Sequence, residues 1–563
     1  MPAKTLFVGL DAACWEYMDP LLGSGQMPRL KSLIDTGLSG TMHSTMPPWT
    51  PTAWGSLVTG TNPGKHGVFD MLWRRPGTYE FTPTNTHSRR GSPFWKYLND
   101  HGIRVGLVNV PFTYPPEPVD GFMVCGFGTP GSANDFVYPD EALAWIREQY
   151  PGFKPAVEPE ILLSASPAEI LATEIEHQAR QVEIAAVLAE RYAVDVLVIN
   201  LMLTDHANHK MPEIVQVQEA YRRSDVDLGK LIDAFKPDNI LLISDHGSSR
   251  LKGDFLLNAW LRDRGYYAQL PNGHDEARKA LNWVLMQWLQ KRVGLRGLPE
   301  QIARSVLRRV LLLLPENRRN QVLERLNETI PFAREHVMFN GHPDYARSKV
   351  FPGSVYSGLL YLNILGREPD GVIRSEHRYA LAAELAAELR RIMAPDTGQP
   401  LFSNVYTAED VYTGPAQGYA PDIILDSYST SWNIRTSKHI PKAEIARNQY
   451  FLDVANRSDF GWHSRDGIFV FTGQGFRQER SSSEAYLMDT SATLLHLYGV
   501  PIPEDFDGRV LTELLNPELG QREIQYQQAK EDRGEPTANM NDILTREEAE
   551  DLASHLRALG YLD

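Results

Sequence analysis

The stretch NILLISDHG (residues 239–247) runs four consecutive aliphatic residues into an abrupt serine–aspartate–histidine–glycine end. A continuous apolar run this short fits a strand buried on both faces, as in a parallel sheet covered by helices. The pattern recurs in TLFVGLD (5–11), RVGLVNVP (104–111), VDVLVINLMLTD (194–205) and GIFVFTG (467–473). Between such runs lie helical periodicities, among them residues 170–192 and 219–235. Strand–helix alternation predicts an α/β fold with a mostly parallel central sheet flanked by helices. In open sheets of this kind ligands sit beyond the carboxyl ends of the strands. Three of the runs end at an aspartate there: Asp11, Asp205 and Asp245.

The chain of 563 residues is too long for one small core. Its 42% hydrophobic and 23% charged residues are those of an ordinary soluble protein. A net charge of −15 argues against a nucleic-acid polymer as partner. Two cysteines, Cys14 and Cys125, cannot form a disulfide framework for this length, and they point to a reducing compartment. The apolar run before Asp11 is too short for a secretory signal. No run reaches the eighteen or so apolar residues of a membrane span; VLRRVLLLLP (306–315) comes nearest and carries two arginines. The expected location is the cytoplasm.

Four segments are expected. Residues 1–262 form the first part of the catalytic core, and 263–345 a basic helical insertion or cap. Residues 346–525 complete the core, and 526–563 form a polar tail with a short helix. The insertion has eleven lysines and arginines against five acidic residues over 275–326. That is chiefly a solvated helical face, with a peripheral membrane or other anionic contact as the alternative.

The strand-end aspartates have telling neighbours. LTDHANH (203–209) puts Asp205 and His209 at i and i+4, which share one face of a helix. SDHG sets His246 directly after Asp245, and GWHSRDG (461–467) places His463 just before another strand. Carboxylates mixed with imidazoles suit Zn²⁺ or Mn²⁺ better than Mg²⁺ or Ca²⁺. Three aspartates and three histidines suffice for two ions. Singly each element is weak, since an Asp-His pair is usually a turn and a strand-end aspartate usually a helix cap. Joined to TPTAWGSLVTG (50–60) and NPGKHG (62–67), the set gains weight.

Taken together, these motifs resemble the alkaline phosphatase superfamily, and within it the type I phosphodiesterase/nucleotide pyrophosphatase family. The matching segments span roughly residues 5–510. The resemblance implies two zinc-like ions, with manganese as the alternative. One would be held by Asp205, His209 and His463, the other by Asp11, Asp245, His246 and the Thr50 oxygen. Thr50 would be the covalent nucleophile at a helix start, and the substrate a phosphate ester. Within the motif Thr52 is the rival nucleophile, Ser56 and Thr59 read as helix packing, and His66 as a buttress of its turn. His206, the rival of His209, fits the ligand spacing less well.

The motif lacks the cysteine or serine that sulfatases convert, and cofactor-independent phosphoglycerate mutases use serine. Phosphopentomutases use threonine, but the surrounding residues resemble the phosphodiesterases more. One departure concerns the substrate. Nucleotide pyrophosphatases of the family carry an asparagine where this chain has Met71, preceded by Asp70. Methionine cannot donate a hydrogen bond. Arg74 and Arg75 are the nearest replacement donors. The expected function is metal-dependent phosphodiester or pyrophosphate hydrolysis through a phospho-threonine. The alternatives are a phosphomonoesterase or phosphotransferase on the same metals, and a catalytically silent binding protein.

Overall fold

The five strands predicted from their apolar runs all form, and they lie side by side in one sheet. The computed structural model describes residues 3–269, 343–353, 358–436, 450–453, 460–478, 482–530 and 544–559. Its main sheet has nine strands in the order Ser482–Tyr486, Leu38–His43, Asp466–Gly473, Asn239–Ile243, Thr5–Leu10, Val196–Leu201, Val105–Val110, Gly121–Cys125, Val137–Tyr138. Five of the eight pairings are parallel; Asp466–Gly473 and Val137–Tyr138 run against their neighbours. Every residue of Thr5–Leu10, Val105–Val110, Val196–Leu201 and Asn239–Ile243 is buried, which explains their unbroken apolar sequence.

Helices flank this sheet. Pro167–Arg191 and Ile214–Phe235 pack on each other, while Thr50–Thr59 packs on Leu487–Leu497. One close approach depends on a missing side chain. A Cβ on Gly9 would lie 2.3 Å from Asn200 Oδ1 and 2.7 Å from the Trp54 ring. Glycine in the strand therefore lets the helix carrying Trp54 settle onto the sheet.

A second, smaller apolar cluster contains Phe255, Trp260, Leu360, Leu385, Ile423 and Ile434. It is built on a four-stranded sheet, Val350–Pro352, Leu359–Leu362, Ile423–Asp426 and Asn404–Thr407, with the helix Arg378–Leu389. Gln269 and Pro343 pair in an antiparallel bridge. Most of the expected basic insertion, including 275–326, lies outside the described residues. The tail helix is present as Arg546–Leu559, burying Leu552, Leu556 and Leu559. Among the described residues no helix is long and apolar enough to cross a membrane.

Candidate metal centre

Five chain segments converge at the carboxyl ends of the central strands. Asp11 follows Thr5–Leu10 directly, and the next residue, Ala12, turns with φ at 55°. That left-handed turn costs a residue with a Cβ roughly 1–2 kcal/mol. It aims the Ala12 N–H at Asp245 Oδ1, 3.3 Å away. Asp205 and His209 stand on the helix Leu203–Lys210, which begins just after the strand Val196–Leu201. Asp245 and His246 fill the junction between Asn239–Ile243 and Gly247–Arg250. His463 lies on the strand Gly461–Ser464, opposite Ser248. A hydrogen bond from Phe460 N to His209 O, 2.8 Å, draws that strand to the end of the helix Leu203–Lys210.

Thr50 is the first residue of the helix Thr50–Thr59, with Pro51 behind it and Gly60 ending it at φ 64°. Proline suits the first turn, where no intrahelical partner is needed, and glycine suits the left-handed end. The sequence thus delivers a hydroxyl at a helix N-terminus, where the backbone dipoles favour an anion.

All seven expected residues come together, and none exposes more than 3% of its surface. Thr50 Oγ1 lies 3.3 Å from His246 Nε2. His246 Nε2 is 3.4 Å from Asp245 Oδ2 and 3.7 Å from Asp11 Oδ1. His209 Nε2 is 3.1 Å from His463 Nε2 and 3.5 Å from Asp205 Oδ1. The rings of His246 and His463 stack with centroids 3.9 Å apart. Two groups could each hold an ion: Asp11, Asp245 and His246, and Asp205, His246 and His463, with ligand atoms within 4.8 Å of one another. His246 belongs to both, which makes the two groups contiguous.

The residues fit cations. Asp11 Oδ1 and Asp245 Oδ2 are buried acceptors with no hydrogen-bond donor among the described residues. Orphaned carboxylate oxygens are costly in a protein interior unless a cation faces them. Burial, and then repulsion from Asp245 and Asp205, pushes the Asp11 carboxyl well above the usual carboxylate range. Burial raises Asp245 too. At Asp205 burial also pushes upward, but His209, His463 and His246 outweigh it and hold the group below the usual range. Burial, with His246 and His209 alongside, pushes His463 far below the usual imidazole range, so its ring is neutral.

Backbone carbonyls set the ring orientations. His463 Nδ1 lies 2.8 Å from Pro48 O, and His246 Nδ1 lies 3.0 Å from Gly247 O. A carbonyl only accepts, so each Nδ1 carries the proton and a neutral ring presents its Nε2 lone pair to the centre. Asn200 Nδ2 donates to Asp11 Oδ2 at 2.8 Å, and Thr204 Oγ1 to Asp11 O at 2.5 Å.

These supporting residues were not visible as such in the sequence. For Asn200 the available signal was a polar residue inside an otherwise apolar strand. Ser56 Oγ meets His66 Nε2 at 2.8 Å, and the His66 ring lies against Gly55, so His66 does brace its turn. Thr59 Oγ1 donates to Gly55 O. Thr52 is buried in the helix, and His206 faces Glu174. Arg74 pairs with Glu368 at 2.8 Å, both buried, and Arg75 pairs with Glu80 at 3.2 Å.

A family model described as type I phosphodiesterase / nucleotide pyrophosphatase matches residues 5–464. A comparison with curated proteins finds no match. Among solved structures, phosphonoacetate hydrolase from Sinorhizobium meliloti, in complex with phosphonoformate, is similar at 16% identity and a TM-score of 0.51. That match covers 89% of this chain and 95% of the other. A mutant of the alkaline phosphatase PafA is similar at 13% identity and a TM-score of 0.50, over 92% of this chain and 100% of the other. Murine ectonucleotide pyrophosphatase / phosphodiesterase 5 aligns at 13% identity and a TM-score of 0.43, over 91% and 100%. The first two likenesses show the fold, an alkaline phosphatase-like α/β sheet. The match over 5–464 takes in all seven residues of the centre, and the chain belongs to the type I phosphodiesterase / nucleotide pyrophosphatase family of hydrolases.

Proposed function

We propose that this chain hydrolyses phosphodiester or pyrophosphate-type bonds using Thr50 as a covalent nucleophile and two divalent ions, zinc in the first instance. Asp205, His209 and His463 would hold one ion. Asp11, Asp245 and His246, with the Thr50 oxygen, would hold the other. The observation that carries this reading is the pairing of two orphaned carboxylate oxygens, Asp11 Oδ1 and Asp245 Oδ2, with a buried hydroxyl 3.3 Å from His246. When bound, the ions would supply Lewis acidity, favouring the alkoxide of a poorly acidic hydroxyl and stabilising the oxygen that leaves.

The chain's own groups do the rest. Thr50 Oγ1 gives up its proton and forms a bond to phosphorus as one ester oxygen departs as an alcohol, giving a phospho-threonine that still carries the second ester substituent. Water then breaks the new bond, releasing the phosphorylated product and restoring the hydroxyl. The helix N-terminus at Thr50 offers positive potential to the phosphoryl group. The rings of His246 and His463 are locked by Gly247 O and Pro48 O, so the site needs little reorganisation.

Diester is favoured over monoester by the arginines. A monoester dianion calls for added cationic contacts, yet Arg74 is committed to Glu368 and Arg75 to Glu80. With Met71 in place of a donor, a nucleotide is not singled out among diesters. Both cysteines are buried and unbridged, which supports a cytoplasmic setting. The test is acid quenching during turnover of a diester, followed by mass spectrometry. A phosphoryl group still carrying one ester substituent on the peptide holding Thr50 supports the reading; turnover with no such adduct under rapid quench contradicts the covalent route.

A further inference from the structure

The ligand helix Leu203–Lys210 receives no cap from its own sequence; Met202, which precedes it, offers no side-chain hydrogen bond. The first N–H is instead taken by a neighbour, with Leu203 N donating to Gln178 Oε1 at 3.2 Å. Gln178 is itself anchored, its Nε2 donating to Ser224 Oγ at 3.3 Å and Asp227 Oδ2 at 3.1 Å. One turn earlier on the same helix, Pro167–Arg191, Glu174 places Oε1 3.0 Å from His206 Nδ1. Both side chains of that pair are at least nine-tenths buried. Glu174 and Gln178 are i and i+4, so they present one polar face to two points on the ligand helix.

That arrangement is expensive for a helix interior. Burial works against the Glu174 carboxylate, and His206, then His177 and His555, outweigh it and keep the group below the usual range. The space beside these groups is about 20 Å³. That is room for a single water rather than for an organic ligand. The crevice is therefore a support and not a second binding site. What it supports is Asp205, the neighbour of His206, and His209 one turn on.

We propose that Glu174 and Gln178 are positioning residues for the metal centre. Glu174 fixes the rotation of the ligand helix through His206, and Gln178 fixes its start through the Leu203 N–H. The inference rests on the two-metal reading above and concerns only the ion held by Asp205, His209 and His463. Removing such a supporting contact typically weakens metal binding by about 10–100-fold.

The test is Zn²⁺ titration of the full-length chain by calorimetry. Wild type is compared with Glu174→Ala, Glu174→Gln, Gln178→Ala and, as control, Gln181→Ala. Gln181 lines the same crevice but contacts His177 rather than the ligand helix. The expected result is that Glu174→Ala and Gln178→Ala weaken one of two ions by about 10–100-fold and leave the other unchanged. Glu174→Gln, which keeps an acceptor oxygen at the same reach, recovers most of the loss, and Gln181→Ala binds as wild type. At limiting zinc kcat falls while KM for a diester holds, and saturating zinc restores kcat. Equal weakening of both ions, or unchanged affinity in both alanine variants, overturns the proposal. Should Glu174→Ala not fold, Gln178→Ala decides the question alone. A wild-type chain that binds no zinc overturns the two-metal reading itself, a result distinct from either.

Discussion

Thr50 Oγ1 lies 3.3 Å from His246 Nε2, although 196 residues separate the two in the chain and both are fully buried. One stands at the start of a helix, the other at the end of a central strand. Only the parallel sheet, with strand ends gathered on one edge, brings them within reach. A hydroxyl in that place is either nucleophile or packing, and the two roles part on substitution. Thr50→Ala is expected to lower diester turnover by about 10⁴-fold or more while the fold persists. Thr50→Ser keeps the oxygen and should retain a measurable fraction. Steady-state rates with circular dichroism check this; an active alanine variant would contradict it.

On the two-ion reading, the two groups should be separable by mutation. Asp205→Asn removes a ligand of one group and Asp245→Asn a ligand of the other. Each variant is expected to bind one ion where wild type binds two, measured by elemental analysis after desalting. Loss of both ions from either variant would show that the groups act as a single cluster.

Asp11 and Asp245 are pushed upward by burial, so in the metal-free protein their ionisation opposes the fold. The contribution of these two groups to metal-free stability is therefore greatest in acid and falls as pH rises above the usual carboxylate range. Metal binding needs the ionised forms, so it should release protons and tighten as pH rises. At ion concentrations one hundred times Kd the gain is about 2.7 kcal/mol. Thermal melts with and without chelator across pH 5–8, roughly the working range of proteins, give the sign directly. A chelator without effect on melting would count against bound ions.

Arg74 separates structure from substrate contact. It pairs with Glu368, whose side chain is wholly buried. Arg74→Met should cost stability by about 1.5–3 kcal/mol, removing one of the two arginines, Arg74 and Arg367, that pair with the buried Glu368 carboxylate. It should leave KM for a diester unchanged. A raised KM with unchanged stability would instead return Arg74 to the phosphate.

His66 is depressed to about 3, first by burial and then by Arg89. The unfolded chain takes up a proton at the usual imidazole value, so this stability is present above that value. It is lost as pH falls through the interval down to about 3. Denaturation should therefore sharpen in mild acid, and His66→Gln should flatten the loss. A variant with the same acid profile would remove His66 from that role.

The sheet was legible because burial on both faces writes itself as unbroken aliphatic runs, as in Val196–Leu201 and Asn239–Ile243. The cluster was legible because its aspartates and histidines sit at strand ends or at helical spacing, as with Asp205 and His209. Its supports were not. Pro48 O and Gly247 O act through the backbone, which no side-chain pattern announces. Glu174 and Gln178 sit among ordinary helix-formers, and nothing local says that their face is buried. In the second apolar cluster the strand Leu359–Leu362 and the helix Arg378–Leu389 were legible, while Val350–Pro352 and Asn404–Thr407, only three or four residues long, were not. Arg74 reads as a surface cation until Glu368, nearly three hundred residues on, folds against it.

The central claim is a two-ion diesterase acting through Thr50. Its most direct test is a single paired measurement on the purified chain. Bound metal is quantified, and hydrolysis of bis-p-nitrophenyl phosphate is compared with that of p-nitrophenyl phosphate, for wild type and Thr50→Ala. Two ions per chain, preference for the diester and a silent mutant are the predicted result. No metal and no turnover of either ester, even after added Zn²⁺ or Mn²⁺, would contradict the account.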